Sequence, residues 1–135
     1  MRSLFNCLAA GVLLISASTA ILAHHSFDAE FDRSKPVKLT GKVTKVEWMN
    51  PHVWITIDGK VVDQADTKIT KWEFELNAPN ALRRQGWSRD TVKEGDVVTV
   101  DGWHAKDGSN HINAREVMTA EGKSVLTASS GGDTK

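Results

Sequence analysis

The stretch Val37-Lys38-Leu39-Thr40-Gly41-Lys42-Val43-Thr44-Lys45-Val46-Glu47-Trp48 decides the fold. Val37, Leu39, Gly41 and Val43 share one face of an extended chain, because successive side chains of a strand point to opposite sides. Val46 and Trp48 fall on the opposite parity, so the apolar face changes side near Thr44-Lys45. Such a switch, with a glycine just upstream, predicts a bulge or sharp bend that lets one long strand serve both sides of a small barrel.

Downstream the period stays at two. Asn50-Pro51 is a turn signal, and His52 to Ile57 reads as a second strand with Val53, Ile55 and Ile57 on one face and Trp54 and Thr56 on the other. Asp58-Gly59 is expected to break it, leaving a loop or irregular hairpin to Lys68. A third strand, Ile69 to Leu76, places Trp72, Phe74 and Leu76 inward and Lys71, Glu73 and Glu75 outward. Asn77-Ala-Pro-Asn80 supplies cap and first-turn residues for one short helix over Ala81 to Gln85, which Gly86 ends. Val97 to Trp103 and Ile112 to Thr119 are the fourth and fifth strands, and Glu121-Gly122 turns into a short sixth, Lys123 to Leu126.

Three strands, a short helix and two or three further strands, led by a bent first strand, are the order of an all-β, five- to six-stranded OB-like Greek-key barrel with one helix between strands 3 and 4. Barrel closure explains how residues 37–126 manage their strand edges. An unclosed β-sandwich shows similar strand spacing and stays open as the alternative.

Upstream, Met1-Arg2, an apolar run from Leu4 to Ile15 and the small-residue stretch Ser16 to Ala23 have the order of a secretory signal peptide over residues 1–23. The run is shorter than the about 20 apolar residues of a spanning helix. Export to a bacterial periplasm is the expected location, with no membrane insertion after cleavage. Cutting after Ala23 is favoured because it removes Ile21-Leu22-Ala23; cutting after Ala20 remains the competitor. Residues 24–36 then form an amino-terminal arm, and residues 127–135, with no apolar side chain larger than alanine, read as a disordered tail.

Composition narrows the function classes. The 135 residues carry 17 basic and 17 acidic side chains, which argues against a nucleic-acid binder, since these neutralise phosphates with a Lys/Arg excess. The single cysteine, Cys7, leaves with the leader, which excludes thiol nucleophiles and thiolate metal sites from the mature chain. No Gly-x-Ser-x-Gly, phosphate loop, His-Glu-x-x-His or cofactor fingerprint occurs, so a binding module is expected rather than an enzyme.

Several strings together resemble a known family: His24-His25-Ser26-Phe27, Leu39 to Trp48, Asn50-Pro51-His52-Val53-Trp54, Pro79 to Trp87 and Ala105-Lys106-Asp107-Gly108-Ser109. They are similar to those of short exported bacterial proteins that carry only a domain-of-unknown-function label. The resemblance implies a periplasmic location and a small β-barrel, and no established activity. In architecture alone the chain also resembles periplasmic OB-fold stress proteins, an analogy of fold.

Two residue types suggest sites. OB-folds present ligand-binding aromatics on the outer face of strands 2 and 3, so Trp48, Trp54 and His52 are the candidate groove for a peptide, glycan or partner protein. Trp54 and Trp48 have a second reading, as a seat for the arm's Phe27 and Phe31. All five histidines lie in the mature part. Cleavage after Ala23 would give His24 a free amine beside its imidazole, a Cu(II)-binding pair to which His25, His52 or His104 could add a third nitrogen. That one feature is similar to copper proteins with an amino-terminal histidine. The candidate metal ligands are therefore His24, His25 and His52, and Cu(II) is the candidate cofactor. His104 and His111 flank a glycine-containing turn and are expected to be exposed. Trp87 is expected to staple the helix end to the strands.

Overall fold

The computed structural model describes residues 27–65 and 68–126. The expected leader, His24, His25 and the tail 127–135 lie outside the described residues. The elements in chain order are α1 (Phe27–Glu30), β1 (Phe31–Trp48), β2 (Val53–Val61), β3 (Thr70–Glu75), α2 (Pro79–Arg84), β4 (Val97–Ala105), β5 (His111–Thr119) and β6 (Ser124–Leu126).

The strands form one mostly antiparallel sheet in the order β3-β2-β1-β4-β5-β6. β3 also pairs with β5, in parallel, through Glu73↔His111, Phe74↔Ile112 and Glu75↔Asn113. The switch read at Thr44-Lys45 is a register shift. Val43 faces Ile57 and Lys45 faces Thr56, so Thr44 is the extra residue of a bulge. Its hydroxyl donates to the Thr56 carbonyl at 3.3 Å. Inward parity then passes from Leu39 and Val43 to Val46 and Trp48, as the hydrophobic alternation requires.

The interior is filled by Leu39, Val43, Ile55, Ile57, Phe74 and Ile112, among others, all essentially without solvent contact. Each comes from an alternating strand, and their removal from water is the main driving force for the fold. α2 starts on Pro79, whose missing N–H costs nothing at a helix start. It buries Leu82 and is closed off by Gly86, whose φ of 89° lies in the left-handed region that favours glycine. Trp87, 5% exposed, follows, and its indole N–H donates to the Val125 carbonyl in β6. The expected staple thus ties the helix exit to the last strand.

Two boundaries differ from the sequence reading. β1 begins at Phe31, not Val37: the polar run Asp32 to Lys35 has no alternation of its own and is an irregularity carried between two pairs with β4, Phe31↔Ala105 and Pro36↔Trp103. β2 runs through Asp58-Gly59 to Val61. Gly59 marks a close approach, not a break: it sits opposite Gly41, where a Cβ would come within 2.6 Å of the Asp58 carbonyl oxygen. Among the described residues no helix is long and apolar enough to cross a membrane.

Candidate functional site

β2, β3 and β5 each give alternate residues to the face opposite the core. Trp54 lies across from Glu75, and Glu75 across from Asn113 on β5. Asn113 in turn faces Trp103 on β4. This row would be a wet surface on an ordinary half-buried sheet, yet Glu75 is 4% and Asn113 1% exposed.

The amino-terminal segment accounts for part of that cover. Phe27 meets the Trp103 ring edge-on with centroids 5.2 Å apart, and Phe31 meets His111 at 5.3 Å. The Arg33 guanidinium lies 4.1 Å over Phe27 and 5.2 Å from the Trp103 centroid. The Lys106 amide donates to the Glu30 carbonyl at 2.8 Å, and the Lys106 ammonium donates to the Asp28 carbonyl. Phe27 and Phe31 therefore do find a seat on the outer face, against Trp103 and His111; Trp54 joins it through His111, 4.7 Å away.

His52 stands just before β2 on the same side as Trp54. Its Nδ1 pairs with a carboxylate oxygen of Glu75, whose side chain is 5% exposed against 35% for His52. A carboxylate removed from water needs a partner, and the histidine supplies one that fixes the ring orientation. The contact makes Nδ1 the nitrogen facing Glu75 and turns Nε2 away from it.

Trp48 is not part of this face. It pairs with Val53, a core residue, and packs against the core cluster, with the Arg89 guanidinium 5.7 Å from its ring. Of the three candidate groove residues, the structure brings Trp54 and His52 together and puts Trp48 on the opposite side of the sheet.

His104 and His111 are half-buried rather than exposed, and the Nε2 of each is buried without a hydrogen-bond partner among the described residues. His104 points back toward Trp72, with ring centroids 5.7 Å apart. Burial pushes the His111 imidazole below its ordinary value; Glu73, Glu30 and Asp107 pull it up, and His104 adds to the lowering.

Among the described residues no three His, Cys, Asp or Glu side chains are grouped to hold a metal ion. A shallow cavity of about 170 Å³ opens between Thr91, Val92, Val98, Thr119 and Glu121, and none of the candidate residues lines it. The residues that sequence reasoning missed are Glu75, His111 and Asn113. Glu75 had the right parity for the outer face, yet between Trp54 on β2 and Asn113 on β5, with His52 as a partner, it is a buried charge.

No curated protein and no solved structure matches the chain. A family profile does, over residues 10–114. On that match, which spans most of the chain, the protein belongs to DUF6152, a family of unknown function.

Proposed function

We propose that this protein is an exported, periplasmic, non-catalytic binding module on an OB-like Greek-key barrel, with Trp54 and His52 at the centre of its ligand face. The carrying observation is the outer face of β2 and β3, where Trp54, His52 and the buried Glu75 converge. The barrel reading is supported by the neighbours of each strand: β1-β2-β3-β5-β4 and back to β1 is an unbroken ring of pairings. OB-like barrels take extended ligands on this side, with aromatic rings as the stacking surface. A peptide, a glycan or a partner protein's loop is the matching ligand class. Nuclear magnetic resonance titration of the mature protein with short peptides and peptidoglycan fragments tests the reading. The expected result is a set of shifts centred on the Trp54 indole and His52, lost in Trp54→Ala with the fold intact. Shifts centred elsewhere, or undiminished binding by Trp54→Ala, overturn it.

A second reading, periplasmic copper handling, is favoured by the His52–Glu75 pair. A metal-binding histidine commonly donates its other nitrogen to a carboxylate, which orients the ring and raises its basicity. In this reading His24 and His25 join His52 around Cu(II). Copper titration of the processed protein against His24→Ala and His52→Ala tests it; equal, weak affinity in all three rejects the site.

A further inference from the structure

The amino-terminal segment lies over the outer face as a strap, held at a few identifiable points. Its backbone is tied to β4 through the Lys106 amide and the Glu30 carbonyl, and its rings rest on Trp103 and His111. The His111 ring is the middle of a three-ring contact: Phe31 of the strap at 5.3 Å and Trp54 of the sheet at 4.7 Å. Phe31 is 3% exposed, so this contact is where the strap buries an aromatic ring most completely.

A neutral imidazole suits that place and a protonated one does not. Its Nε2 is buried with no acceptor among the described residues, and an added proton there is a buried donor without a partner. Charged and titratable groups approach from the surrounding elements. Glu30 comes from the strap, Glu73 from β3, Asp107 from the turn after β4 and His104 from β4 itself, while β2 presents the Trp54 ring. The three carboxylates favour the proton and His104 opposes it; burial is the largest influence and opposes it as well.

We propose that the segment from Phe27 to Phe31 is an acid-released strap: protonation of His111 loosens its contact with Phe31, lifts the strap from β4 and uncovers the Trp103 ring and the His111 ring beside Trp54. Its connection to ligand access rests on the binding face proposed above; the motion itself does not.

The test is amide hydrogen exchange on the full mature protein, expressed as protection factors so that the intrinsic pH dependence cancels. The Lys106 amide reports the strap and the Phe74 amide, in the β2–β3 ladder, reports the sheet. Between about pH 7.5 and about pH 5.5, the range in which histidines change charge, Lys106 protection is expected to fall several-fold while Phe74 protection holds. His111→Phe, which keeps a ring and cannot be protonated, is expected to abolish the Lys106 response; His111→Gln serves the same purpose if the larger ring does not fold. A pH-independent Lys106 amide in the unaltered protein overturns the proposal. So does a response that survives both replacements, or a fall in Phe74 that keeps step with Lys106. A ligand screen that finds no binding at Trp54 removes the binding face and leaves these exchange results standing.

Discussion

His52 Nδ1 is paired with the Glu75 carboxylate across the start of β2 and the end of β3, and the acid is the far more buried partner. Removing either side of such a pair has unequal consequences, because what matters is the charge left behind. His52→Ala takes the histidine partner from a carboxylate that water scarcely reaches and is expected to cost about 2 kcal/mol, whereas Glu75→Gln removes the buried charge itself and is expected to cost about 1 kcal/mol. Guanidinium denaturation at neutral pH checks the order; a larger loss in Glu75→Gln would contradict it.

Gly41 and Gly59 face one another across β1 and β2. A methyl group on Gly41 would lie 2.6 Å from both the Asp58 carbonyl oxygen and the Gly59 Cα, backbone atoms that cannot swing aside. Gly41→Ala is expected to destabilise the protein by about 2–3 kcal/mol, the usual range for overpacking, or to shift the strand register. Thermal melting together with amide shifts around the Thr44 bulge distinguishes these outcomes.

Trp87→Phe keeps an aromatic ring in the same buried place and removes the N–H that donates to the Val125 carbonyl together with the smaller ring of the indole. The expected loss is about 2 kcal/mol, from one hydrogen bond and the void left by the smaller ring, accompanied by faster exchange in β6 than elsewhere in the sheet. A loss spread evenly over all strands would show that the indole acts through packing alone.

Stability should also depend on pH through His111. Burial lowers its folded value below the ordinary 6.5, so the folded chain binds this proton more weakly than the unfolded chain. The contribution is complete above about pH 6.5, declines as the pH falls through that value, and levels off below the depressed folded value. Denaturation midpoints are expected to drop on acidification from about pH 8 to about pH 5, and His111→Gln to flatten the slope across the same range.

The strands were legible where hydrophobic alternation is strong. Val53 to Ile57 and Trp72 to Leu76 show their inner faces directly, and the bulge at Thr44 follows from the change of parity on either side. Short-range patterns fail where a distant segment supplies the structure. Asp32 to Lys35 carries no strand signal and lies between two residues, Phe31 and Pro36, that pair with β4. Glu75 looks like a solvated outward carboxylate until neighbouring segments cover it. Gly59 reads as a stop in one dimension and is a point of contact in three, since its meaning lies in Gly41, eighteen positions earlier. Of the candidate site, Trp54 and His52 were legible from parity and turn position; Trp48 was drawn into the groove by its nearness in sequence, although the bulge had already turned it inward.

The bulged β1 is common property. Its residues Phe31 and Pro36 to Lys42 pair with β4, and those from Leu39 to Trp48 pair with β2, so four residues serve both neighbours at once. No line divides the sheet into two self-sufficient parts, because either part would have to keep β1 and deprive the other of it. The protein consequently has one cooperative unit: tryptophan fluorescence and far-ultraviolet circular dichroism should report the same unfolding transition. A single backbone cut within Leu39–Lys42 would then undo both flanks together, so this short overlap is the place where the whole molecule is most easily lost.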